Sequence, residues 1–330
     1  MQVNQRWFVW IILLLCVAAI PIGFVGRKSG AARLKDDDVS PFSSSTYKYV
    51  DHIQVIKLSG MIVDKPDPLI SAGASAISCV KQLRKAAKDE HVKAVLLRIN
   101  SPGGTVSTSQ ELNEAVSLLR EKGKIVYSSM SDLAASGGYY VACATDRIYA
   151  QPGTLTGSIG VILSLVNVKG LADKLGLQPE VIKSGQFKDI ASPYRAMTPQ
   201  ERQLLQNLIM DSYDQFVTAV AKGRKMKVDD VKKIADGRIY SGRQAKQLGL
   251  VDELGSYDDA LDALQKACME KFQLKEELPV NDKPAGGLLS QIAQLTESMA
   301  PAKPSLCAES FILPDFMRGQ FYKQPLWLMQ

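Results

Sequence analysis

Histidine is the scarcest chemically useful residue in this 330-residue chain: only His52 and His91 occur. A serine hydrolase ordinarily draws its base from histidine. Both read here as surface positions, His52 at the start of an early strand and His91 inside the charged loop KDEHVK. Cysteine is sparse as well. Cys16, Cys79, Cys143, Cys268 and Cys307 are odd in number and form no C-x-x-C pair, so neither a disulfide framework nor a thiolate zinc site is expected. No P-loop and no cluster of metal-ligand residues occurs, so no metal, nucleotide or organic cofactor is expected. The net charge of +6 is modest and its basic residues are scattered. Nucleic acid is therefore not an expected partner, whereas a weak attraction to an anionic membrane surface is compatible with that charge.

What is present is a globular composition, 46% hydrophobic and 22% charged, with length for one large or two medium domains. One uncharged run stands apart, WFVWIILLLCVAAIPIGFVG at 7–26. At about 1.5 Å per residue it spans a bilayer core of about 30 Å, and Trp7 and Trp10 suit an interface. No small-x-small cleavage site follows it, so it reads as an uncleaved anchor and not a signal peptide. Residues 1–28 are thus a transmembrane anchor, 29–50 a Ser/Asp/Lys-rich linker, 51–275 the folded domain and 276–330 a Pro- and Gly-broken tail. Arg27, Lys28, Arg33 and Lys35 follow the span, and a simple charge count puts the bulk of the chain in the cytoplasm.

The folded region alternates strands and helices. A strand over Ile53–Leu58, a helix over 74–88, a doubly buried strand over Ala94–Ile99 and a helix over 107–121 lead to a strand beginning at Ile125. This order predicts an α/β layer with parallel strands. Thr198-Pro199-Gln200-Glu201 is a capping box that opens a long amphipathic helix. Its stripe of Leu204, Leu205, Leu208, Ile209, Phe216, Val217 and Val220 reads as core or subunit contact. Further helices are expected over 228–235, 241–248 and 256–272.

The chain turns on KIVYSSMSDLAASGGYY at 124–140, a strand running into a short helix. A serine at such a turn can expose its hydroxyl at the helix N-terminus beside free backbone amides. On these residues alone, Ser136 as a simple N-cap is the stronger reading. Pro102 lacks an N–H, so Gly103 offers the first free amide after the preceding strand. Thr156 and Ser158 lie in a second small-residue turn, TLTGSIGV at 154–161, and Lys188 stands on a loop, where a solvated lysine is the default.

Five segments in order, NSPGG at 100–104, AASGGYY at 134–140, TLTGSIGV at 154–161, SGQFKD at 184–189 and ADGRIYSGRQA at 235–245, resemble the signal peptide peptidase A family in its short, single-domain bacterial form. The resemblance covers roughly residues 50–270 and the anchor. It implies a fold similar to the Clp protease and crotonase superfamily, stacked ββα units with an extra helical region. It implies a membrane-anchored serine endopeptidase that degrades remnant signal peptides, with Ser136 as nucleophile, Lys188 as general base, Ser158 orienting the lysine, and the amides of Gly103 and Gly137 as oxyanion hole. It further implies a ring-like homo-oligomer, with an octamer expected, and a catalytic domain outside the cytoplasm, against the charge count.

The chemistry is self-consistent. A serine hydroxyl needs a neighbour to take its proton. A lysine, with an ordinary pKa of about 10.4, can do so once burial lowers that value by up to ~3–5 units. Asp189 would oppose this if its carboxylate faced the amine, so it is expected to point away. Two other readings compete: a crotonase-like acyl-CoA hydrolase or isomerase, which would need neither Ser136, Lys188 nor an anchor, and a non-catalytic membrane scaffold. The apolar tail, ending SFILPDFMRGQFYKQPLWLMQ, resembles the expected substrate and is a candidate occupant of the enzyme's own groove.

Overall fold

The structure is a computed structural model that describes residues 50–64 and 76–282, and the backbone of 326–328. The chain divides into two units, Met1–Ser43 and Ser44–Gln330, and all described residues belong to the second. The expected anchor at 7–26 lies outside the described residues, among which no helix is long and apolar enough to cross a membrane.

An eight-stranded mixed sheet organises this unit. Strand β1 (His52–Ser59) pairs in parallel with β2 (Val92–Ser101), and β2 with β4 (Ile125–Ala135). Between β2 and β4 lie the three-residue strand β3 (Gly103–Thr105) and helix α2 (Val106–Glu121); helix α1 (Ala76–Lys88) joins β1 to β2. The expected α/β layer with parallel strands is what forms. Alternation explains the two-sided burial. Ile56, Leu58, Val95, Leu97 and Ile99 face one core with α1 and α2. Ile53, Val55, Ala94 and Leu96 face a second core. Each fully buried Leu or Ile contributes about 1.5–3 kcal/mol of transfer free energy.

Strand β4 runs to Ala135, well past the β-branched run that announced it, because its two halves have different neighbours. Tyr127–Met130 pair with β5 (Arg147–Ala150), and Leu133–Ala135 pair with β6 (Leu155–Gly157). One residue separates the end of β4 from the short helix α3 (Gly137–Ala142). Beyond β6, helix α4 (Lys169–Lys174) lies in a stretch from Val161 to Gln200 in which Ala172 alone is buried.

Helix α5 (Pro199–Arg224) starts at the expected capping box: Thr198 accepts from the Glu201 N–H, and Glu201 accepts from the Thr198 N–H. Only the C-terminal part of its stripe is buried. Phe216, Val217 and Val220 are in the core, while Leu204 and Leu208 are 43% and 48% exposed. Helix α6 (Val228–Ile234), strand β7 (Ile239–Ser241), helix α7 (Gly242–Gln247), strand β8 (Glu253–Leu254) and helix α8 (Tyr257–Phe272) follow. Strand β7 pairs antiparallel with β6, and α8 covers the second core.

Two sequence expectations fail here. His52 is 2% exposed, not a surface residue, because β1 is enclosed between β2 and a further strand, β9 (Val280–Asn281). Its Nδ1 lies 2.8 Å from the Val50 carbonyl. The chain beyond residue 275, where periodicity weakened, still supplies β9, parallel to β1. Near the C-terminus, β10 (Leu326–Leu328) pairs antiparallel with β3, with Leu328 opposite Gly103 and Leu326 opposite Thr105.

Candidate active site

Ser136 occupies the single residue between β4 and α3. Its backbone lies at φ 53°, ψ −120°, a left-handed conformation unusual for a residue with a side chain. Such strain amounts to about 1–3 kcal/mol and persists only where the surroundings over-determine it. Here they do: the Ser136 N–H donates to Gly157 O at 2.8 Å, and its carbonyl accepts from Tyr140 N at 2.9 Å. The side chain makes no cap hydrogen bond, so the N-cap reading does not hold. Instead the hydroxyl is fully buried with no hydrogen-bond partner among the described residues. A buried hydroxyl left unpaired costs about 1–3 kcal/mol.

The surroundings are built from small residues because backbones approach closely. A Cβ on Gly137 would lie 2.4 Å from Ser109 Oγ and 3.2 Å from both Gly103 Cα and Gly104 N. A Cβ on Gly104 would lie 2.0 Å from the Ile62 carbonyl. Strand β3 is held on that side by Ile62, whose N–H donates to Gly103 O at 2.8 Å and whose carbonyl accepts from Thr105 N at 2.8 Å. Gly137 opens α3 and so has no intrahelical acceptor for its N–H. The N–H of Gly103 donates to Ser101 Oγ over a long 3.2 Å.

Ser158 is also nearby. Gly157, opposite Ala135 in the β4–β6 ladder, precedes it, and its own φ is 50°. It is 5% exposed, with its N–H on Arg238 O at 2.8 Å. Ser136, Gly137, Gly103 and Ser158 thus come from three separate chain segments into one neighbourhood.

Lys188 makes no hydrogen bond to the Ser136 hydroxyl. It sits in the turn-rich stretch between α4 and α5, with its backbone N–H on Gly185 O at 3.1 Å and its side chain exposed. The sheltered lysine expected from sequence is therefore not formed by one chain alone. Asp189 does turn elsewhere: Lys183 Nζ at 2.6 Å and Arg195 Nε at 2.8 Å hold its carboxylate. The Arg195 and Lys183 hydrogen bonds keep its pKa well below the usual carboxylate range. Arg195 also grips the buried Glu201, whose pKa is lowered to about 2, chiefly by that bond. This network pins the start of α5 to the lysine-bearing loop. Sequence reasoning missed it, as it missed Gly104 and Ser109; the doubled glycine of NSPGG was the available signal for the former.

Residues 118–270 match the profile of Peptidase family S49. The protein is 45% identical to "Putative signal peptide peptidase SppA" of Enterococcus faecium over 185 residues, 56% of this chain and 54% of that protein. It is 46% identical over 223 residues to "Putative protease slr0021" of Synechocystis sp., covering 67% of this chain and 74% of that one.

The chain belongs to peptidase family S49.

A further relative, "Serine protease SPPA, chloroplastic" of Arabidopsis thaliana, is 34% identical over 236 residues, 71% of this chain and 34% of that protein. The chain thus spans about half the length of the Enterococcus faecium relative and a third of the plant one. The family profile begins inside α2, so it includes Ser136, Gly137, Ser158 and Lys188 and leaves out Gly103.

Proposed function

We propose that this chain is a serine endopeptidase in which Ser136 attacks the peptide carbonyl and Lys188 of a neighbouring copy takes its proton. The observation that carries this reading is the Ser136 hydroxyl, buried, strained into place and without a partner. Such a group is poised for a reactant or for a base that arrives from outside. As Oγ bonds to the carbonyl carbon, the neutral amine accepts the hydroxyl proton; on collapse that proton passes to the departing amine. The N–H groups of Gly137 and Gly103 receive the oxyanion, the latter exchanging its long bond to Ser101 Oγ. Ser158 orients the lysine. Water then hydrolyses the acyl-enzyme.

Assembly is supported by exposed apolar surface next to the lysine. Leu171, Leu175, Leu177, Val181 and Ile182 are each more than half exposed, Ile182 at 97%. So many exposed large apolar side chains within one stretch of chain favour a contact surface. Head-to-tail packing would bring one copy's loop to the next copy's serine and close as a ring, with an octamer as the proposed size. The antiparallel pairing of β10 with β3 supports extended peptide as the substrate form, since an added strand runs beside Gly103. Remnant signal peptides and other short apolar peptides are the proposed substrates, and the chain's uncharged 7–26 run, set in the membrane with the catalytic domain outside the cytoplasm, would bring the enzyme to them. The forked parallel sheet is compatible with the Clp protease and crotonase superfamily.

Mixing two inactive variants tests the shared site. Full-length Ser136→Ala and Lys188→Ala should each lose peptide hydrolysis, and a co-assembled equal mixture should regain about a quarter of wild-type sites, those with an intact serine beside an intact lysine. No recovery after verified co-assembly would refute a dyad closed between copies.

A further inference from the structure

A cavity of about 510 Å³ lies on the α8 face of the sheet where the β4–β5 ladder ends, lined in part by Arg98, Ser129, Ser131, Asp132, Gln151 and Tyr257. Neither Ser136, Gly103 nor Gly137 lines it. Its volume is in the range of small-molecule sites, about 300–1,000 Å³. It lies in the carboxyl-terminal half of β2 and β4 and just past the end of β5, toward the side on which open α/β sheets bind ligands. The apolar face of β2 ends here: Ala94 and Leu96 pack under α8, and the next residue on that face is Arg98.

Two groups in the cavity await a ligand. Arg98 lies across the β2–β4 ladder from Ser129, so both side chains rise from the same face. The Arg98 guanidinium is 5.0 Å above the Tyr257 ring, and among the described residues it has no carboxylate or carbonyl partner. Ser129 is 3% exposed, and its hydroxyl also has no hydrogen-bond partner among the described residues. Lys57, opposite Arg98 on β1, adds positive charge to the same row. An aromatic-backed guanidinium beside a hydroxyl donor suits a planar carboxylate, which it can engage through two parallel N–H bonds. Asp132, exposed and 3.4 Å from the Asn100 amide, lines the same cavity and disfavours a multiply charged anion.

We propose that this cavity binds a small molecule bearing a single carboxylate, through Arg98 and Ser129, at a site separate from Ser136. The inference rests on these side chains and not on the hydrolytic reading, since binding would stand even in a chain that cleaves nothing. Calorimetric titration of the full chain with N-acetyl-dialanine, its C-terminal amide and inorganic phosphate tests it. The acid should bind saturably and the amide should not; phosphate should bind at least tenfold more weakly than the acid. Arg98→Met should weaken the acid at least tenfold and Ser129→Ala several-fold, while Ser136→Ala leaves it unchanged. Ser129→Ala removes an unpartnered hydroxyl and should keep the wild-type unfolding midpoint, so it decides the matter if Arg98→Met folds poorly. Equal binding of acid and amide, phosphate binding as tight as the acid, indifference to Ser129→Ala, or loss in Ser136→Ala would each overturn the proposal.

Discussion

Gly137 and Gly104 have no room for a methyl group, but for different reasons, and the difference is measurable. At Gly137 the nearest obstacle is a hydroxyl, Ser109 Oγ, with backbone atoms at 3.2 Å; at Gly104 it is the Ile62 carbonyl itself. Overpacking costs about 1–3 kcal/mol where neighbours can yield. Gly137→Ala should therefore fall within that range in urea denaturation, and Gly104→Ala at or above its top, because the β3–Ile62 bonds must break. Alanine keeps the Gly137 N–H, but its Cβ presses on Ser109 Oγ and β3 and displaces that amide, so a peptidase assay of Gly137→Ala should show kcat lowered by up to about 10²-fold. An unchanged kcat would show that the methyl group is accommodated without moving the amide. Ser136 was legible as a special residue, a serine between small residues at a strand-to-helix junction. Its positive φ and unpaired hydroxyl were not, because both depend on Gly157 and β3, which meet it only in three dimensions.

At the scale of elements, the start of α5 is a charge-dependent joint. Glu201 is 2% exposed and accepts from Arg195 and from the Thr198 N–H at 2.9 Å. Its folded pKa of about 2 lies below the ordinary 4.5. The unfolded chain therefore binds the proton more readily, and the stability this carboxylate supplies is complete above about pH 4.5 and is lost as pH falls toward 2. The difference in stability between wild type and Glu201→Gln should consequently be larger at pH 7 than at pH 3. A difference that grew on acidification would contradict the assignment. Strand β10 supports a second expectation at this scale. An occupant paired to β3 competes with substrate, so deletion of residues 305–330 should lower KM for a short peptide while changing kcat little. Identical KM values would separate the tail from the groove. The capping box of α5 was visible in four consecutive letters; β9 was not, since a two-residue strand carries no periodicity and exists only through β1.

The whole described unit is tied together by contacts between distant segments. Arg224, at the end of α5, makes a paired contact with Asp252, Nη2 to Oδ1 at 2.7 Å and Nη1 to Oδ2 at 2.8 Å, and Asp252 accepts from the Ile148 N–H at 2.7 Å. The arginine side chain is 7% exposed and the aspartate 30%. Removing one partner of a buried pair costs roughly 3–5 kcal/mol, and the partial exposure of Asp252 puts Asp252→Ala near the lower end, about 3 kcal/mol. Thermal or urea unfolding measures this, and a loss under about 1 kcal/mol would show that water already screens the pair. Local sequence, through alternation, capping and the order of five short motifs, was enough to determine the parallel α/β layer, the family and the serine to watch. Tertiary structure alone decided the rest: the burial of His52, the forked neighbours of β4, the pinning of Asp189 by Arg195, and the exposure of Lys188. The physical reason is range. Periodicity and caps act over one or two turns of chain, whereas packing, desolvation and the meeting of charges are set by residues tens to hundreds of positions apart.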